Sequence, residues 1–295
     1  MKKILFIFNP VSGRAKIRSL LGEIVDFYTN NDYLISIYPT QKRGDAYSLI
    51  ASLDMSYDLL VCSGGDGTLN EIISGILNHG KNMLLGYIPS GSTNDFGKSM
   101  GIPSDLLPAM EVTLYGKRYR VDIGRFNENY FVYIAAFGIF TNIPYSTPQK
   151  IKNAIGYLAY VLAGIKALSE LKSYSLLVEY QEQTIEGEFI IGLIMNSFSI
   201  AGFKNPVYSL TELNDGLFEM ILIRMPQNIG DLQEIITSLL NESIDSELIV
   251  YIQASNMEIR SELIEWTLDG EYGGKHERVS ITNLNQAIDI LVPIE

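Results

Sequence analysis

Three short apolar runs within the first hundred residues each stop at a loop rich in Gly, Ser, Thr and Asn. Ile4 to Phe8 ends in Asn9-Pro10-Val11-Ser12-Gly13. Leu59 to Cys62 ends in Ser63-Gly64-Gly65-Asp66-Gly67-Thr68-Leu69-Asn70-Glu71. Met83 to Ile88 ends in Pro89-Ser90-Gly91-Ser92-Thr93-Asn94-Asp95-Phe96. A short apolar run bounded by turn residues has the pattern of a strand buried on both faces. Helical spacing of apolar residues recurs between the runs: Ile17 to Asn30, Ala46 to Leu53 and Leu69 to Leu77, with a further strand over Tyr33 to Tyr38. Strands alternating with helices predict an α/β domain, a parallel sheet with helices on both faces.

The alternation stops near Asp122. Downstream, strand-like segments dominate: Tyr130 to Ala136, Ser175 to Glu182, Phe189 to Met195, Phe218 to Ile223, Ile249 to Ile252, Met257 to Arg260, Glu265 to Asp269 and Val279 to Thr282. Helices are expected over about Lys150 to Leu171 and over Asp231 to Leu240. A βα half followed by a β-rich half predicts two domains, 1–122 and 123–284, with 285–295 returning to the first.

Composition removes several classes of function. The single cysteine, Cys62, lies in an apolar run, and His79 and His276 are the only histidines. A disulfide framework and a Cys- or His-rich zinc site are therefore excluded, and the chain reads as intracellular. No apolar stretch reaches the ~18 residues of a membrane span. The net charge of −12 argues against a nucleic-acid partner. The charge is uneven, with eight basic and three acidic residues over 115–175, against four basic and sixteen acidic over 205–295. A basic middle predicts transient contact with an anionic membrane surface, or simply a solvated charged face. Lys150, Lys152, Lys166 and Lys172 around the Tyr-rich stretch Tyr157 to Leu168 are the candidates.

In an open α/β sheet, ligands sit at the carboxyl ends of the strands, where all three Gly-rich loops fall. Glycines let the backbone approach phosphate oxygens, and Thr68 and Asn70 open a helix whose N-terminus favours an anion. Any one of these loops alone is an ordinary tight turn. Three on one edge predict a phosphate site. None of the three loops carries Gly-x-x-x-x-Gly-Lys, and no Gly-x-Gly-x-x-Gly follows the first strand, so a P-loop and a dinucleotide fold are disfavoured. Asp66 inside an anion site makes sense if it meets a metal or a hydroxyl, because a bare carboxylate repels phosphate.

These loops, in this order, resemble the diacylglycerol kinase catalytic family, and the chain is similar to soluble bacterial lipid kinases nearly end to end. Leu213-Asn214-Asp215-Gly216-Leu217 and Leu268-Asp269-Gly270-Glu271-Tyr272-Gly273-Gly274 belong to the resemblance. Gly64-Gly65-Asp66-Gly67 alone is weak, being shared with NAD kinases and phosphofructokinases.

The resemblance implies an α/β domain of the NAD kinase and diacylglycerol kinase type beside a β-rich, sandwich-like domain. It places ATP in the cleft between the two and has the final run, Ile288 to Ile294, return to the first. It also implies ATP-binding positions at Asn9, Pro10, Val11, Ser12, Gly13, Thr40, Gly64, Gly65, Asp66, Gly67, Thr68, Leu69, Asn70, Thr93, Asn94 and Asp95. Glu271 matches the catalytic base, with Asp269 beside it and Asp66 as a third catalytic acid. Glu212, Asp215 and Leu217, the last through its carbonyl, match a Mg2+ site.

Two departures stand out: Glu212, where a backbone carbonyl is expected to matter, and Ser92 in place of Thr. By themselves, Asp269-Gly270-Glu271 is an acidic turn and Asn214-Asp215-Gly216 a turn signal. The implied activity is transfer of the γ-phosphoryl group of ATP to diacylglycerol or a related lipid alcohol, by a cytoplasmic protein peripheral to the inner membrane face. A NAD kinase-like or other small-alcohol kinase, or a non-catalytic nucleotide- or lipid-binding regulator, is the alternative. The oligomeric state is left open, a homodimer included.

Overall fold

The computed structural model describes residues 1–12, 16–53, 57–138, 168–200, 203–204, 211–241, 244 and 246–294. Gly13 and nearly all of the helix expected over Lys150 to Leu171, with Lys150, Lys152 and Lys166, lie outside them. The chain divides into two compact units: Met1–Asp122 with Gln286–Glu295, and Ile123–Asn285.

The first unit runs β1 (Lys2–Phe8), α1 (Lys16–Ser19), α2 (Leu21–Asn30), β2 (Tyr33–Pro39), α3 (Asp45–Ser52), β3 (Leu59–Gly64), α4 (Asp66–Asn78), β4 (Leu85–Pro89), α5 (Asp95–Ser99) and α6 (Leu106–Tyr115). Its strands pair in parallel in the order β2-β1-β3-β4. Ile4 through Phe8 are all buried, so both faces of β1 are covered. On one face Ile4, Phe6 and Phe8 join Ile24 and Tyr28 of α2 and Met110 of α6 in a shared core. The Tyr28 hydroxyl, buried in that core, bonds Thr113 Oγ1 at 2.8 Å. The chain then leaves along β5 (Lys117–Phe126).

The second unit contains β6 (Asn129–Phe131), β7 (Ile134–Gly138), β8 (Tyr174–Tyr180), β9 (Gln183–Met195) and the short pair β10 (Ser199–Ile200) and β11 (Phe203–Lys204). Then come β12 (Phe218–Arg224), α7 (Ile229–Leu240), β13 (Ile249–Ala254), β14 (Asn256–Leu268) and β15 (Glu271–Val292), whose residues from Gln286 onward belong to the first unit. Both β9 and β14 pair antiparallel with β7 and with β8, which closes a ring of four strands. Trp266 fills the core, with the Phe137 and Phe126 ring centroids 4.9 and 5.1 Å away.

The segments Met257 to Arg260 and Glu265 to Asp269, expected as separate strands, form the single strand β14. An irregular register against β15 between Arg260 and Ile264 interrupts the alternation there. Val279 to Thr282 and the final run Ile288 to Ile294 likewise belong largely to the one strand β15, whose Ile290 pairs in parallel with Leu85 of β4 in the first unit's sheet. No helix among the described residues is long and apolar enough to cross a membrane.

Candidate active site

The carboxyl ends of β1, β3 and β4 stand side by side because their strands are neighbours, and their loops interlock. The Asn9 amide donates to the Ser63 carbonyl at 2.9 Å, and the Ser90 amide to the Gly64 carbonyl at 2.8 Å. Ser12 Oγ and Ser90 Oγ lie 2.8 Å apart, and Ser63 Oγ donates to Ser90 Oγ at 3.5 Å. Asn9 Nδ2 donates weakly to Thr68 Oγ1 at 3.4 Å. Val11 points outward, while Pro10 is buried. At the end of β2, the Thr40 amide donates to the Phe8 carbonyl at 2.9 Å, and Thr40 itself is buried. The loop beyond it is tied down by Glu71 of α4, whose carboxylate accepts the Gly44 amide at 2.7 Å.

Two glycines make this junction possible. A Cβ on Gly64 would stand 2.6 Å from Thr68 Cβ, and one on Gly91 would stand 2.5 Å from Gly65 Cα. Gly67 differs, since a Cβ there would meet nothing within 4 Å. Packing among the described residues does not demand its missing side chain, and the position is open to solvent. No side chain caps the N-terminus of α4 at Gly65, which leaves a thirteen-residue helix directing its positive end at that space. Asn70, in the first turns of α4, accepts from Ser74 Oγ at 3.2 Å, and Leu69 is buried.

Asp66 is buried and turned towards the third loop. Its Oδ2 accepts from the Asp95 amide at 3.2 Å and from Thr93 Oγ1 at 3.3 Å, and its Oδ1 accepts from the Phe96 amide at 3.3 Å. It thus caps α5 from a distant part of the chain. Burial, and then the charge of Asp95, push its carboxyl above the usual carboxylate range, against the lowering effect of those hydrogen bonds. Asn94 takes a left-handed conformation with φ 51° and closes its own loop by exchanging hydrogen bonds with Gly91.

In the second unit, Asp269 and Gly270 form the β14–β15 turn with φ of 50° and 80°. The Asp269 carboxylate is buried and accepts the amides of Val132 at 2.7 Å, Tyr133 at 3.0 Å and Ile134 at 3.1 Å. Glu271, two residues on, is exposed. The two neighbouring acids therefore have opposite environments: Asp269 organises backbone, and Glu271 faces water.

The turn before β12 bears Glu212 and Asp215, both exposed. Asp215 Oδ1 accepts the Leu217 amide at 2.9 Å, and the Leu217 carbonyl accepts from Asn283 Nδ2 at 3.1 Å. Among the described residues, no group of three or more His, Cys, Asp or Glu side chains is gathered as a metal cage. Beneath the turn, Glu219 is fully buried, and burial above all pushes its carboxyl up to about 7.

Residues 3–126 match the diacylglycerol kinase catalytic domain. A diacylglycerol kinase of Staphylococcus epidermidis is 35% identical over 99% of this chain and 92% of its own length. One from Staphylococcus carnosus is 35% identical over 99% and 95%. The chain belongs to the diacylglycerol kinase family. Its fold agrees with a crystal structure of a diacylglycerol kinase from Bacillus anthracis at a TM-score of 0.80 and 22% identity, over 99% of this chain and 97% of that one.

As a member of this family, the protein is a kinase, a phosphotransferase. The diacylglycerol kinase assignment leaves several residues that motif reading did not single out. Ser63 and Ser90 bridge the loops, and Glu71 secures the β2 loop. Their only signal is membership of the Gly-rich segments. Glu219 carried no signal, since a lone acid in an apolar strand does not reveal its burial.

Proposed function

We propose that the protein transfers the γ-phosphoryl group of ATP to the hydroxyl of diacylglycerol or a related lipid alcohol. The observation that carries it is the interlock of the three loops around an uncapped helix N-terminus, with open space at Gly67. Backbone amides, Asn9, Ser12, Thr40, Thr68 and Thr93 would line the triphosphate. Gly64, Gly65 and Gly91 let the backbone come close.

Asp66 acts by holding Thr93, Asn94 and Asp95 in place rather than by taking a proton. Exposed Glu271 is suited to accept the hydroxyl proton of the acceptor. As the acceptor oxygen bonds to the γ-phosphorus, the bond to the bridging oxygen of ADP breaks, and positioning does most of the work. Asp269 fixes the turn that presents Glu271.

An oxygen-donor set of the Asp215 carboxylate and the Leu217 carbonyl fits magnesium, which would offset phosphate charge when bound; Glu212 would reach it only through its exposed side chain. We also take the first unit's sheet to carry helices on both faces, on the burial of all of Ile4 to Phe8. A NAD kinase-like activity or a silent regulator has no observation in its favour. Lys172, stacked 4.5 Å from the Tyr174 ring centroid, is the described part of the candidate membrane-facing segment.

The test is incubation with radiolabelled ATP and a panel of lipid alcohols, with products separated by thin-layer chromatography. A labelled phosphatidic-acid-type product is expected. A metal-replete protein that labels no lipid alcohol would overturn the proposal.

A further inference from the structure

Glu219 stands on β12 between Gln253 of β13 and Met195 of β9. It is fully buried. Gln253 Nε2 donates to Oε1 at 3.3 Å, and the Thr211 hydroxyl also bonds the carboxyl. Among the described residues, Oε2 has no hydrogen-bond partner, and neither has the buried hydroxyl of Tyr251. Tyr251 lies two positions along β13 from Gln253, so it shares the sheet face of Glu219.

No Lys or Arg among the described residues pairs with Glu219. A carboxylate buried without a positive partner is destabilising, because its desolvation is not offset by an opposite charge. The neighbouring charge felt by both Glu219 and Tyr251 is that of Asp215, another negative one. Two carboxylates, the exposed Asp215 and the buried Glu219, thus flank Leu217 along the chain, and no cation among the described residues pairs with the buried one.

We propose that Glu219 is a positioning residue for a divalent cation held at the Asp215–Leu217 turn. It does not touch the ion. Its buried negative charge raises the ion's affinity, and its bond to Thr211, one residue before Glu212, holds the start of the turn in register. The inference rests on the assignment of magnesium to Asp215 and Leu217 above.

Mn2+ binding, followed by electron paramagnetic resonance at pH 8 without nucleotide, provides the test. The full chain is compared with Glu219→Gln and Glu219→Met, two neutral replacements of similar volume, with Glu219→Asp, which keeps the charge, and with Asp215→Asn. Outer groups around a metal site typically change affinity by about 10–100-fold, so both neutral variants should bind Mn2+ about tenfold more weakly. Glu219→Asp should retain most of the affinity. Melting temperatures without metal should be unchanged or raised in the neutral variants, because an unpaired buried charge is removed.

Wild-type affinity in a folded neutral variant, with binding lost in Asp215→Asn, would overturn the role of Glu219 alone. Affinity that falls only together with the metal-free melting temperature would make the role structural and overturn it too. Wild-type binding in Asp215→Asn, or no Mn2+ binding by the wild type, would remove the cation site itself and the inference with it.

Discussion

The backbones of Gly65 and Gly91 touch, so that a Cβ on Gly65 would stand 3.2 Å from Gly91 Cα, and one on Gly91 only 2.5 Å from Gly65 Cα. These residues come from the second and third loops, and their contact sets how near the two loops lie. No side chain can rotate out of the way, because both contact atoms are backbone. Gly91→Ala should therefore push the loops apart, with a stability loss of about 2 kcal/mol and a fall in ATP affinity. Urea unfolding and nucleotide titration on the same preparation check this. An unchanged affinity would show that the contact does not shape the phosphate site.

Asp66→Ala should cost both stability and activity. Three donors, the Asp95 and Phe96 amides and Thr93 Oγ1, lose their acceptor in a buried place. Unmade buried hydrogen bonds cost about 1–3 kcal/mol each, and partial access of water to the loop will soften the sum. The melting temperature should fall by several degrees while lipid phosphorylation disappears. Loss of activity with no change in melting temperature would point to a chemical role for Asp66 instead.

Asp269 and Glu271 should separate cleanly. Asp269→Ala strips the acceptor from three backbone amides and should destabilise the protein by about 3 kcal/mol or more. Glu271→Gln alters an exposed side chain, so its stability should stay within about 0.5 kcal/mol of wild type. Its turnover should nevertheless drop on the order of 100-fold or more, as expected when a proton acceptor is lost. Calorimetry and a lipid kinase assay on both variants decide the matter.

The Cys62 thiol should be silent in the native protein. It is fully buried on β3, and burial, followed by the charges of Glu71 and Asp66, pushes its pKa up. A raised thiol pKa means less thiolate at a given pH, so raising the pH to 9 should not make it reactive. Labelling with a chromogenic disulfide reagent should be negligible until urea unfolds the first unit. Rapid native labelling would contradict the packing of that strand.

Much of the first unit was legible in the sequence because its signals are local. Ile4 to Phe8 reads as a doubly buried strand from its own composition, and the residues flanking Gly65 and Gly91 announce a backbone that must approach something closely. The second unit was less legible. β14 and β15 were split in the sequence, because residues 261–263 and 283–287 break the apolar alternation while the backbone continues through them.

The amino-acid sequence by itself thus determined the βα alternation, the three loops at the strand ends, the β-rich second half and the family resemblance. All of these depend on residues close together along the chain. Only the tertiary structure decided which carboxylates are buried and which donors they meet. Asp66 serves donors about thirty residues away, Asp269 serves amides more than 130 residues away, and Glu219 on β12 is left with an oxygen that has no partner among the described residues. A carboxylate's role follows from its burial and its donors, and both are set by contacts between segments that the linear sequence keeps far apart. Asp66 is the example: the sequence places it inside a Gly-rich loop, and only the fold shows that its carboxylate joins that loop to the one carrying Thr93, Asp95 and Phe96.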